Sequence, residues 1–166
     1  MIKLNVGCCD LPLPKPWINV DNMANAIAKP DLVLDGRKLD GHFGPGSVDE
    51  IYAGHFVEHL TPQEADEWVA MCYRVLKPGG KLGFVTPDYL YLSQEYVEGR
   101  IPLERMVNLY LFSYEQASHH ASAWDLQAQA ELLERHGFTD IEEIDRMEDP
   151  RLAYPAPWQC GAEGRK

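Results

Sequence analysis

The chain has 166 residues, 45% hydrophobic and 25% charged, the balance of one globular domain with a single packed core over residues 1–166. Its 15 Lys and Arg against 26 Asp and Glu leave a net charge of −11. That disfavours nucleic acid and an anionic membrane surface as partners, because both demand a basic face. No stretch has the length of a membrane span, and the N-terminus lacks a signal-peptide layout. Cys8, Cys9, Cys72 and Cys160 show no C-x-x-C spacing, and adjacent Cys8 and Cys9 should not bridge each other. The expectation is a reduced, cytosolic protein.

Ile2 to Val6 reads as a first strand. Pro12, Pro14 and Pro16 argue against a helix in the loop that follows. Trp17 to Val20 is a second short strand ending at Asp21, and Met23 to Ala28 suggests a helical turn. Asp31 to Leu34 forms a third strand ending at Asp35-Gly36, and a glycine-rich loop with Gly41, Gly44 and Gly46 comes next. Val48 to Ala53 is a fourth strand, closed by Gly54-His55. Thr61-Pro-Gln-Glu64 is a capping box with proline at the first helical position. Ala65, Trp68, Val69, Met71, Cys72, Val75 and Leu76 then repeat close to a 3.6-residue period.

Lys77 is expected in the last turn of that helix, where a cation complements the carbonyl end. Pro78 and Gly79 or Gly80 supply the stop, before a fifth strand with Leu82, Phe84 and Val85. Residues 89–113 read as helical, interrupted around Gly99 to Pro102. Asp125 is a plausible N-cap for a helix through Arg135, stopped by Gly137. Phe138 to Ile144 and Trp158 to Arg165 are the sixth and seventh strands. Alternating strands and helices imply a mainly parallel sheet with helices on its faces. In such sheets ligands bind beyond the carboxyl ends of the strands, so Gly7 to Asp10, Asp21, Asp35, His55 and Asp88 are the positions of interest.

Arg74 to Asp88 resembles the fifth-strand signature of class I S-adenosylmethionine (SAM) dependent methyltransferases. Leu4 to Cys9 is similar to the SAM-binding loop of that family, and Asn19-Val-Asp21 to its second strand. Ile51 to Leu60 resembles the fourth strand and its loop, Leu132 to Phe138 the turn before the sixth strand, and Glu163 to Lys166 the end of the seventh. The resemblance covers nearly the whole chain. It implies an α/β fold, a Rossmann-like three-layer sandwich with a mostly parallel seven-stranded sheet and an antiparallel last strand. It implies SAM as cofactor, held by Gly7, Cys8 and Cys9, by Asp21 at the ribose and the adjacent Asn22, by Asp35 and Gly36 near the adenine, and by Gly54 and His55. The short length also resembles small bacterial methyltransferases associated with cell-surface polysaccharide synthesis. The expected reaction is methyl transfer to a small-molecule or saccharide acceptor. His55 is the candidate base because imidazole titrates near neutrality, and its alternative role is to shape the methionine end of the site. A domain without a substrate cap could close its pocket with a second subunit, as a homodimer.

The loop departs from the family's Gly-x-Gly, reading Gly7-Cys8-Cys9. A left-handed Cys9 would carry about 1–2 kcal/mol of strain and lean into cofactor space. This motivates a second reading, a non-catalytic binding module on the same fold. A third is a zinc hydrolase, because His55-Phe-Val-Glu-His59 matches H-x-x-E-H, with His55 and His59 on one helix face and Glu58 as base. Pro62 would interrupt that helix, so no metal ligand is assigned, and the plainer reading is a sheet-end loop and short helix with Glu58 or His59 capping or hydrogen bonding locally. His119 and His120 point to opposite faces of an extended segment and would seldom share a metal. The aromatic run Tyr89, Tyr91, Tyr96, Tyr110, Phe112 and Tyr114 reads as core before it reads as a pocket.

Overall fold

The computed structural model describes residues 1–9, 11–22, 29–111, 119–152 and 154–166. The turn expected over 23–28, and Phe112 and Tyr114 of the aromatic run, lie outside them. Seven strands form one sheet: β1 (Lys3–Val6), β2 (Trp17–Asp21), β3 (Leu32–Val33), β4 (Val48–Gly54), β5 (Leu76–Pro87), β6 (Thr139–Glu143) and β7 (Gln159–Arg165). Their order is β3-β2-β1-β4-β5-β7-β6. The first five are parallel, and β7 runs antiparallel to both β5 and β6. The chain builds outward from β1 to β3 and then returns to place β4 on the other side of β1. That reversal makes the carboxyl ends of β1 and β4 the topological switch point, where open α/β sheets leave a crevice for ligands.

Alternation along the strands sorts the side chains. Leu4, Val6, Val20, Ile51, Ala53, Leu82, Phe84 and Ala162 are buried on the face that holds the main core. Helix α1 (Pro62–Val75) covers it with Ala65, Trp68, Val69, Met71, Cys72 and Val75. Burying a side chain of this size stabilises by about 1.5–3 kcal/mol. The helix starts as the sequence predicts: Thr61 accepts from the Glu64 amide, and the Glu64 carboxylate accepts from the Thr61 amide. Two further helices, α2 (Tyr89–Val97) and α3 (Leu103–Leu111), flank the expected break at Gly99, whose φ is +70°. Helix α4 (Leu126–Arg135) is capped by Asp125, stops before Gly137 at φ +87°, and packs Leu132 and Leu133 into the same core.

The other face is thinner. Trp17, Tyr52, Val85 and Ile144 form a small cluster with Leu13 and Leu152 against it. Beside them Arg151 lies 2.8 Å from Glu163, 2.7 Å from Asp149 and 3.4 Å from Glu50. Lys81 pairs with Glu163 and Lys3 with Glu50, both at 2.5 Å. An ion network therefore closes much of this face. Gly83 permits its approach, since a Cβ there would meet Glu163 Cβ at 3.1 Å and Arg151 Nη1 at 3.6 Å.

Lys77 corrects the sequence reading. Helix α1 ends at Val75, and Leu76 is already extended and paired with Val48. Lys77 precedes Pro78, and helical backbone is sterically disfavoured before proline. The Lys77 amine reaches both oxygens of Asp49 at 2.8 Å instead of capping the helix. The glycine stop is a loop within β5: Gly79 takes φ +77° and donates to the Lys166 carbonyl at 2.8 Å. The loop expected from Gly41, Gly44 and Gly46 is preceded by a 3-10 helix over Gly36–Gly41. Among the described residues no helix is long and apolar enough to cross a membrane.

Candidate functional site

The crevice is built from strand ends. Gly7 leaves β1 at φ +68°, and its amide and that of Cys8 donate to the Val20 carbonyl. Cys9 does adopt the left-handed region, at φ +44°. Its amide donates to Asp21 Oδ2 at 2.8 Å, so the carboxylate at the end of β2 fixes the loop at the end of β1. An amide caught by a carboxylate is a strong, charge-assisted bond, which helps offset the strain. The loop is held from behind as well. Asn5 donates to Asn19 Oδ1 at 2.9 Å, and Asn19 exchanges hydrogen bonds with the Leu13 backbone. The Asn19 amide and side chain both donate to Asp31.

Phe56 explains two glycines. A Cβ on Gly7 would lie 2.8 Å from Phe56 Cδ2, and one on Gly36 would lie 3.0 Å from Phe56 Cζ and 2.5 Å from Val6 Cγ1. The ring of Phe56, tilted against Trp68 at 5.4 Å, is wedged between the two loops. Both glycines are required by close packing within the protein, before any ligand is considered. Trp68 Nε1 donates to the Gly36 carbonyl at 3.0 Å and secures the second loop.

The predicted positions are therefore gathered on one edge of the sheet, with differences in availability. Asn22 is exposed just beyond β2. Asp35 caps the 3-10 helix, and Arg37 engages both of its oxygens through the backbone amide, Nε and Nη2. The hydrogen bond from the Arg37 side chain holds the Asp35 carboxyl below the usual carboxylate range. Gly54 ends β4, and a Cβ there would meet the Tyr52 side chain at 3.4 Å, an ordinary contact.

His55 sits at φ +55°. Its Nδ1 lies 3.0 Å from Glu58 Oε1 and its Nε2 3.2 Å from Gln159 Oε1. The Gln159 amide nitrogen donates to the carbonyls of Tyr154 and Arg146, which turns its oxygen toward His55. Both ring nitrogens thus face acceptors, and the imidazolium satisfies both. Burial works against that charge, but the hydrogen bond and charge of Glu58 outweigh it and raise the His55 pKa. For Glu58, burial likewise favours the neutral form, but His55 and then His59 hold its pKa down. Tyr154 stacks on His55 at 6.2 Å and 19°, and Trp158 lies at 5.8 Å, giving this end of the crevice an aromatic wall. Sequence reasoning missed Tyr154, Trp158 and Gln159 as neighbours of His55. For Glu58 the sequence suggested a local cap or hydrogen bond, and the bond to His55 is of that kind.

The H-x-x-E-H match is not the helical metal site of a peptidase. Only Val57–His59 is helical, as a single 3-10 turn, and His55 precedes it in a left-handed conformation. His55 and His59 consequently do not share a helix face. The buried Glu58 orients His55 instead of serving as a solvent-facing base.

A family model described as a methyltransferase domain matches residues 16–84, from β2 into β5. An uncharacterized methyltransferase of Geobacillus kaustophilus is 28% identical over 108 residues, 65% of this chain. The chain spans about half, 48%, of the length of that curated relative. A SAM-dependent methyltransferase structure from Archaeoglobus fulgidus superimposes with a TM-score of 0.70 at 18% identity, covering 99% of this chain and 86% of that one. One from Thermotoga maritima gives 0.68 at 16% identity, covering 99% and 81%. The strand order is that of the Rossmann-like α/β fold these structures share. The chain is thus similar in fold to SAM-dependent methyltransferases, and a methyltransferase-domain model matches part of it.

Proposed function

We propose that this domain binds SAM in the β1–β4 crevice and transfers its methyl group to a small-molecule or saccharide acceptor. The observation that carries the reading is the Asp21 carboxylate at the end of β2, already locked to the Cys9 amide beside the switch point. Gly7, Cys8 and Cys9 would border the cofactor, Asp21 and Asn22 its ribose, Asp35 and Gly36 its adenine, and Gly54 and His55 its methionine end. Asp35 would share its oxygens with Arg37. No phosphate-binding loop is needed, since SAM carries none.

Methyl transfer is an in-line displacement at the sulfonium methyl, and alignment of the two reactants can lower the barrier by about 7–11 kcal/mol. His55 is assigned a positioning role. Both of its nitrogens are engaged, by Glu58 and Gln159, so it shapes the methionine end and carries the aromatic wall against which an acceptor ring would lie. A base role for His55 would need Gln159 to yield its place to an acceptor hydroxyl. The aromatic faces of Tyr154 and Trp158 suit a flat or sugar-like acceptor.

Cys9 at φ +44° is the specific observation behind the competing reading, a non-catalytic module. One titration separates the two. Isothermal calorimetry with SAM and with S-adenosylhomocysteine should give saturable binding, weakened at least tenfold by Asp21→Ala. Neither heat nor thermal shift with either ligand would leave only the non-catalytic module.

A further inference from the structure

Glu58, His59 and His120 meet although the sequence separates them by about 60 positions. One potential ligand atom from each lies within 4.8 Å of the other two. Glu58 is 1% exposed, and among the described residues neither its Oε2 nor the buried Nδ1 of His59 has a hydrogen-bond partner. The rings of His59 and His120 are 4.9 Å apart at 72°. The segment carrying His120 is fixed in place: the amides of Ala121 and Ser122 both donate to the Glu58 carbonyl, at 2.7 and 3.1 Å. The Trp124 indole then donates to Ser122 Oγ at 2.8 Å.

From this we infer that Glu58, His59 and His120 form a binding site for one divalent transition-metal ion of the zinc type. Two imidazoles and a carboxylate are a ligand set that zinc accepts, leaving a fourth position for water. Ligand atoms around tetrahedral zinc lie about 3.4 Å apart, given metal–ligand distances near 2.1 Å. Metal binding therefore draws the three side chains slightly together. The other Glu58 oxygen is already oriented by His55 at 3.0 Å, the support that a ligating carboxylate ordinarily has. The ion would pin the 119–122 segment onto the turn after β4, beside the aromatic end of the crevice. This site differs from the H-x-x-E-H reading in its ligands: His55 is outside it, and His120 supplies the third group. It stands independently of methyl transfer.

The test uses tag-free full-length protein stripped of metal with a chelator and titrated with zinc chloride. One equivalent should bind per chain and raise the melting temperature. Cobalt(II) in its place should give visible d–d absorption without a thiolate charge-transfer band. His120→Ala, at a half-buried position, should weaken zinc binding at least tenfold while His119→Ala leaves it unchanged. Glu58→Gln should weaken binding to the same degree; if that buried variant does not fold, the comparison of His120→Ala with His119→Ala decides alone. Absence of saturable binding, binding unaffected by His120→Ala, or a thiolate band that assigns the ion to cysteine would each overturn the inference.

Discussion

Replacing Gly36 by alanine tests whether the second crevice loop is held by packing. The new Cβ would sit 2.5 Å from Val6 Cγ1 and 3.0 Å from Phe56 Cζ. Val6 is fully buried in β1, in register with Val20, and as a β-branched residue it has little rotamer freedom to yield. Overpacking of this kind costs about 1–3 kcal/mol. The lost flexibility of the unfolded chain returns about 0.4–1 kcal/mol. The net expectation is a destabilisation of about 1–2 kcal/mol, since Gly36 has no positive φ to add strain. For a domain of this length that is a fall of about 2–8 °C in melting temperature. Urea denaturation of Gly36→Ala should be compared with Gly44→Ala, where an added Cβ meets nothing within 4 Å. In a Val6→Ala background the cost of Gly36→Ala should shrink by at least about 0.5 kcal/mol, the coupling expected of residues in contact. Equal stability of the two glycine variants, or the same cost in both backgrounds, would refute the packing argument.

Thiol chemistry offers a second check. Burial pushes the Cys8 and Cys160 thiols up to about 12, and raises Cys72 as well, while Cys9 is exposed. A disulfide reagent at pH 8 should label one thiol in the native protein, four after denaturation, and none in native Cys9→Ser; fast labelling of Cys8 would contradict the loop geometry. Acid stability supplies a third. The Asn19 amide, then Lys15, hold Asp31 down to about 2. Because the folded pKa lies below the unfolded one, near 3.9, the ionised form favours the fold at higher pH and that contribution is lost as pH falls from about 4 to about 2. Asp31 is partly exposed, so solvent screening keeps the effect modest. The stability gap between wild type and Asp31→Asn should narrow across that window, and a gap constant from pH 6 to pH 2 would show that the carboxylate's charge contributes nothing.

Much of the fold was legible in local chemistry. Thr61 to Glu64 fixed the start of α1 because a capping box satisfies its own orphan amides, whatever surrounds it. Asp125 and Gly137 bounded α4 in the same way. The strand ends were readable because each apolar run closes on a polar residue or glycine, and parallel topology then brings those ends to one edge. Lys77 was misplaced because its partner, Asp49, is 28 residues away and pairing across β4 and β5 overrides the pull of a helix terminus.

Local chemistry along the chain was enough to set the alternation of strands and helices, the order of the strand-end residues, and the irregularity of the Gly7-Cys8-Cys9 loop, because these depend on neighbours within a few positions. What those residues meet is set by the folded chain. It put Phe56 behind both glycines, committed Asp35 to Arg37, engaged both nitrogens of His55, and closed the thin face of the sheet with charges. It also brought His120 to Glu58 and His59. The physical reason is that these contacts are made across the sheet and between loops, where the distance along the chain carries no information about the distance in space.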